Sequence, residues 1–271
     1  DTAPKPTITV GSKTFTEQYI LADLIAGVAA DAGYPVQKRE GLGSVVIFEA
    51  LASSEIDVYV DYTGTIWANY MKRDDVAGAQ TVLEEVEYWV ARHEHVRCLG
   101  TLGFENAYGL AMRRDRAEEL GVKTIADLAE HAGDMTIGGD VEFFGRPEWR
   151  ALRSAYNLSF GDQVSYDSTF MYTAVAQYEV DVISAFTSDG RIAAFDLVVL
   201  DDPKNAIPPY DAVVLLSPEA AAEQSLIDAL RPFMDRVSVD LMRRANYRVD
   251  REQDKQTVQQ AADWLRRQVT Q

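Results

Sequence analysis

The sequence has a single cysteine, Cys98, so no disulfide can form within the chain and no cysteine cluster can hold zinc or an iron–sulfur centre. Histidine is almost as scarce, with His93, His95 and His131 as the whole supply of side chains that titrate near neutral pH. Cations are outnumbered: 26 Lys and Arg stand against 43 Asp and Glu, a net charge of −17 whose field repels phosphate backbones and excludes nucleic acid as the expected partner. Long apolar runs are missing as well. The stretch 20–30 is broken by Asp23 and stopped by Asp31, far from the roughly 18 uninterrupted apolar residues of a membrane span. The chain starts at Asp1-Thr-Ala-Pro-Lys-Pro6 without an initiator Met or an apolar signal core, which reads as a trimmed start and points toward export.

What is present is an ordinary globular balance, 47% apolar and 25% charged over 271 residues. That length exceeds the roughly 250 residues at which one core usually splits, so two domains are expected. Strand and helix patterns alternate along the chain. Ile8 and Val10 give a short strand ending at Gly11, Thr14 and Glu17 have the spacing of a capping box, and Ile20, Leu21, Leu24, Ile25 and Val28 form the buried stripe of the next helix. Strand-like runs follow at 36–39, 56–60, 96–99, 108–112, 135–137, 180–185, 197–200 and 212–216. Helical patterns fill most gaps, at 45–52, 82–92, 124–132, 148–156 and 172–177, and three more come after Ser217-Pro218, where Ser can cap and Pro can open a helix. Such alternation predicts an α/β class, in which ligands sit beyond the carboxyl ends of the strands.

The enzyme motifs fail one by one. Gly41-Leu-Gly43 follows a strand, but Val46 stands where a dinucleotide fingerprint needs Gly or Ala, so it reads as a turn into a helix. There is no P-loop, no G-x-S-x-G elbow and no H-E-x-x-H. His93, His95 and Cys98 are too closely spaced to face one metal from a helix, and His131 lies in a polar helix end. No metal and no cofactor is expected. Strand ends instead offer Lys13, Arg146 and a series of aromatics, the residue types that hold a quaternary ammonium on π faces and meet a carboxylate with a cation.

These positions fall in motifs with a recognisable order. Val10-Gly-Ser-Lys13-Thr-Phe-Thr-Glu-Gln18, Gly41-Leu-Gly43, Glu55-Ile-Asp-Val-Tyr59 and Asp61-Tyr-Thr-Gly-Thr65 are followed by Glu142-Phe143 with Arg146, Met171-Tyr172, Asp181-Val-Ile183, Thr187-Ser-Asp-Gly-Arg191, Asp201-Asp202 and Pro208-Pro-Tyr210. The series resembles the substrate-binding proteins of glycine betaine, carnitine and choline ABC transporters, from about Ile8 to the last helix. The resemblance implies a two-lobed periplasmic-binding-protein fold of type II, one lobe from 1–105 plus 209–271 and the other, inserted, from 106–208, joined by a two-crossover hinge. It implies an aromatic cage of Tyr62, Tyr108 and Tyr210, with Phe186 where many members carry Tyr, and a polar position at Asn106 lining it. Lys13, Thr65 and Arg146 match positions that contact a carboxylate.

On this reading the chain is a monomeric extracytoplasmic binding protein and no enzyme. It captures a zwitterion of the glycine betaine type between its lobes and delivers it to the membrane subunits of an ABC importer. Its expected location is the periplasm, or the outer face of a membrane if a lipidated start has been trimmed away. Choline or ergothioneine is the alternative ligand. The alternative of another class is an enzyme on the same architecture using Glu142 or Asp189, for which no nucleophile and base pair is visible. Two cations facing a ligand that lacks a carboxylate would lose their partner, so a roughly hundredfold preference for carboxylated ligands is expected.

Overall fold

A computed structural model describes residues 4–270. The expectation of a trimmed start rests on Asp1, Thr2 and Ala3, which lie outside the described residues. The strands, in chain order, are β1 (Ile8–Gly11), β2 (Val36–Arg39), β3 (Val58–Tyr62), β4 (Arg97–Glu105), β5 (Tyr108–Arg113), β6 (Thr136–Asp140), β7 (Asp162–Tyr166), β8 (Val182–Phe186), β9 (Leu197–Val199) and β10 (Asp211–Leu216). They divide between two compact units. The first comprises Asp1–Asp75, Ala79–Glu105 and Tyr210–Gln271; the second comprises Val76–Gly78 and Asn106–Pro209.

The first unit holds a five-stranded sheet in the order β2-β1-β3-β10-β4. β1 runs parallel to β2 and β3, whereas β10 lies antiparallel to β3 and β4. Every residue of β3 is buried, as the middle strand of a covered sheet requires. Its alternation sends Val58, Val60 and Tyr62 into the core formed with Ile20, Leu21, Leu24 and Ile25 of helix Thr16–Asp31, leaving Tyr59 and Asp61 on the other face. Gly11 closes β1 where a Cβ would lie 2.7 Å from Ile56 Cδ1, so a larger residue there would have to displace the buried Ile56 side chain.

The second unit repeats the plan with its own five strands, β7-β6-β8-β5-β9. β6 is parallel to β7 and β8, and β5 is antiparallel to β8 and β9. Leu110, Met112, Ile137, Phe143, Trp149, Leu152 and Val182 build its main core.

Two local readings are corrected. Thr14 and Glu17 make no capping box: the helix starts at Thr16 after Phe15, with no side-chain cap, and Glu17 is drawn away by stronger partners. Ser217 does cap, accepting the N–H of Ala220 at 3.1 Å, but the turn that it opens is a short 3-10 segment, Ala220–Ala222. Some elements escape the sequence pattern, two of them over five residues or more of ordinary strand or α-helix. β7 is an edge strand, exposed or half-buried throughout, and helix Arg114–Leu120 buries only Ala117. Neither carries the apolar periodicity that announces a buried element.

Candidate functional site

In the first unit, the candidate residues gather at one end of the sheet. Lys13 follows β1, Tyr62 ends β3, and Tyr210 precedes β10, whose Ala212 lies opposite Tyr62 in register. Thr65, half-buried, closes the helical turn Thr63–Thr65 that follows β3, and Thr63 Oγ1 accepts the N–H of Asp211 at 3.0 Å. Tyr210 packs against the core of this unit and donates its N–H to Glu105 at 3.2 Å.

Lys13 is already paired within the chain. Its Nζ donates to Asp61 Oδ1 at 2.6 Å and lies 5.5 Å from the Tyr62 ring centroid, and both members of the pair are buried. Asp61 also accepts the N–H of Tyr62 at 2.8 Å and the Tyr59 hydroxyl at 2.5 Å. Burial and then the Asp61 charge hold the Tyr59 hydroxyl far above its ordinary pKa, so it remains the donor. A second buried chain fixes Tyr62 itself: its hydroxyl donates to Glu17 Oε1 at 2.6 Å and accepts from Gln18 Nε2 at 3.2 Å, while Asn246 Nδ2 donates to Glu17 Oε2 at 3.0 Å. Gln18 Oε1 takes the Lys13 N–H at 3.1 Å. Phe15, more than a third exposed, stacks on Tyr62 at 6.2 Å.

The second unit presents its candidates at the equivalent sheet end. Tyr108 opens β5 opposite Phe186, which closes β8, and their rings lie 5.0 Å apart. The Phe143 ring also lies 5.2 Å from Tyr108, which makes Tyr108 the ring common to both contacts. Gly139 permits this cluster, because a Cβ there would sit 2.9 Å from Phe144 Cζ and 3.1 Å from Phe143 Cδ1. The Phe186 N–H is taken by the Tyr172 hydroxyl at 2.9 Å, which holds the end of β8 in place. Asn106 is half-buried just before Tyr108, where the Ala107 N–H donates to Thr187 Oγ1 at 2.9 Å.

Arg146 lies with its guanidinium 5.0 Å from the Tyr108 ring centroid. It is paired twice within the chain, through Nε and Nη2 to Glu148 at 3.1 and 3.2 Å and through Nη1 to Glu142 at 3.4 Å. These contacts bear on the premise of the expected hundredfold preference for a carboxylated ligand. It presumed cations left bare by choline, and both cations already hold protein carboxylates. Sequence reading missed Glu17, Asp61, Asp140, Phe15 and Phe143 as members of these clusters. For Phe15, Glu17, Asp61 and Phe143 a signal existed, since all four lie inside the quoted motifs.

Asp211, beside Tyr210, carries a pH dependence. Burial, followed by the charge of Glu105 opposite it on β4, pushes its carboxyl from the usual 3.8 to about 6. Between those two values the unfolded chain ionises while the folded chain keeps its proton. The folded state therefore loses stability as pH rises through the window and stays at the lower level above about 6. Asp211→Asn should raise Tm by roughly 3 °C at pH 7.5 and by less than about 1 °C at pH 3.5, read by thermal denaturation at both pH values. An equal gain at both would place the effect outside the ionisation of Asp211.

Over residues 6–267 the chain matches the family described as the substrate binding domain of ABC-type glycine betaine transport system. It is 33% identical, over 97% of its own length and 88% of the relative's, to a glycine-betaine-binding protein of Pseudomonas aeruginosa. An ergothioneine transport permease/ergothioneine binding protein of Helicobacter pylori is 27% identical over 91% of this chain, which spans 45% of that relative's length. Among solved structures, apo YehZ from Escherichia coli superposes with a TM-score of 0.83 at 26% identity, covering 96% of this chain and 98% of that one. A glycine betaine/carnitine/choline ABC transporter structure superposes at 0.89 with 22% identity, covering 95% and 96%. The fold is thus the α/β, two-lobed class of periplasmic binding proteins. By the match that runs through both of its units, the chain belongs to the family of substrate-binding domains of ABC-type glycine betaine transport systems.

Proposed function

We propose that this chain captures a quaternary ammonium compound outside the cytoplasm and hands it to the membrane subunits of an ABC importer. The observation that carries this reading is the ring cluster of Tyr108, Phe143 and Phe186 at a strand end, matched at the corresponding end of the other sheet by Tyr62 and Phe15. A quaternary ammonium has no N–H to donate and is recognised through π faces, which Tyr108, Phe186 and Phe15 supply, with the fully buried Phe143 backing Tyr108. The residues assigned to binding on this reading are Lys13, Tyr62, Thr65 and Tyr210 in the first unit and Asn106, Tyr108, Arg146 and Phe186 in the second. Lys13 and Arg146 act as donors already neutralised by Asp61 and Glu148, so a ligand carboxylate adds to their hydrogen bonding without supplying their only counter-charge. Carboxylated ligands should then exceed choline by less than about tenfold.

Calorimetric titration with glycine betaine, carnitine, choline and ergothioneine tests the reading and ranks the ligands. Ergothioneine belongs in the panel because the Helicobacter pylori relative, named for it, matches 91% of this chain. Heat of saturable binding from at least one of the four is the expected result. Silence from all four would remove the proposal.

A further inference from the structure

The two sheets share one strand plan, and the strand end that carries a lysine in the first unit carries a carboxylate in the second. β1 runs into Ser12 and Lys13, whereas its counterpart β6 ends at Asp140. Asp140 is only 6% exposed. Its Oδ1 accepts the N–H of Glu142 at 2.9 Å and its own N–H reaches Ser184 Oγ at 3.3 Å, which anchors the strand end. Its side chain also meets the Tyr108 hydroxyl as a hydrogen-bond acceptor, which ties Asp140 to the ring cluster. The neighbouring guanidinium of Arg146 pairs with Glu148 and Glu142. The charge of Asp140 reaches the Tyr108 hydroxyl, where, after burial, it is the main influence holding that phenol protonated. The local balance around the Tyr108, Phe143 and Phe186 rings is therefore negative: Asp140, Glu142 and Glu148 against Arg146.

We propose that Asp140 is a specificity-determining residue of the second unit, a buried carboxylate that favours the positive end of a quaternary ammonium at the Tyr108 ring cluster and disfavours a ligand carboxylate nearby. The assignment rests on the quaternary ammonium reading. A charge held in a site of low dielectric attracts a cation and repels an anion alike, so its removal affects a cation and a zwitterion unequally. Choline feels only the attraction; glycine betaine feels both.

The test is calorimetric titration of choline and glycine betaine into the full chain, Asp140→Asn and Asp140→Glu. Asparagine keeps the size of the side chain and the oxygen that accepts the Glu142 N–H. Asp140→Asn should weaken choline about tenfold and glycine betaine about threefold or less, moving the ratio of the two affinities toward the betaine. Asp140→Glu, which retains the charge, should keep the ratio of the unsubstituted chain even if packing lowers both affinities. Equal losses for both ligands in Asp140→Asn, unchanged affinities, or the same shifted ratio in Asp140→Glu would overturn the assignment while leaving the quaternary ammonium reading intact. Failure of the unsubstituted chain to bind either ligand, or any other quaternary ammonium, would overturn both.

Discussion

Lys13→Met should destabilise the protein by about 3–5 kcal/mol, because it strips the counter-ion from a carboxylate that water cannot reach. Asp61 is fully buried, and its three remaining neighbours do not replace a charge: the Tyr62 N–H and Tyr59 hydroxyl donate neutral hydrogen bonds, and Tyr70 lies beyond Tyr59 with its own hydroxyl committed to the Ser44 carbonyl at 2.5 Å. For a chain of this size the loss corresponds to a fall in Tm of roughly 10 °C. The pair itself is a weaker stabiliser than its rupture suggests, since both ions were desolvated to form it. Adding Asp61→Asn to Lys13→Met removes the orphaned charge, and the double variant should regain more than half of the loss. Urea denaturation of the single and double variants measures both quantities. A loss under about 1 kcal/mol in Lys13→Met would mean that Asp61 finds water or another cation, and the buried pair would lose its place in the description of the site.

Tyr108→Ala should weaken quaternary ammonium binding about thirtyfold, the equivalent of about 2 kcal/mol for a desolvated cation–π contact. Tyr108 is the ring that Phe143 and Phe186 both touch, so its removal also frees the two flanking faces. Tyr108→Phe keeps the face and the packing and should bind within about threefold of the unsubstituted chain. The contrast separates the ring from the hydroxyl. Calorimetry on both variants, with circular dichroism to show that they are folded, decides the matter: a folded Tyr108→Ala with undiminished affinity removes this ring from the site.

The strands that shape the site were legible because each is buried and short, so apolar residues cluster at β3, β5, β8 and β10 between turn residues. β7, with the sequence Asp-Gln-Val-Ser-Tyr, is held by its ladder to β6 rather than by a buried face, and a ladder leaves no mark in composition. Within the site the aromatic members and several of their charge partners were visible in motifs, but the pairing between them was not. Lys13 and Asp61 are joined by the fold across 48 residues, and Tyr62 and Glu17 across 45. Glu17 shows how a local rule is overridden: its spacing from Thr14 fits a cap, yet a buried carboxylate gains more from the Tyr62 phenol and the Asn246 amide than from an exposed backbone N–H. Arg146 and Glu148 lie close enough in sequence to have suggested their pairing. The motif reading assigned the guanidinium to the ligand and so left its neighbour without a role.

The central claim is that a positive charge on the ligand is read by aromatic faces, and the most direct measurement compares choline with 3,3-dimethylbutanol, its uncharged carbon isostere, by titration calorimetry into the unsubstituted chain. The two have the same shape and hydroxyl and differ in the charge on the quaternary centre. Choline should bind at least about thirtyfold more tightly, since the isostere retains the apolar contact and forfeits the cation–π attraction and the field of Asp140. Equal affinities would show that the rings form an ordinary apolar pocket and would contradict the account.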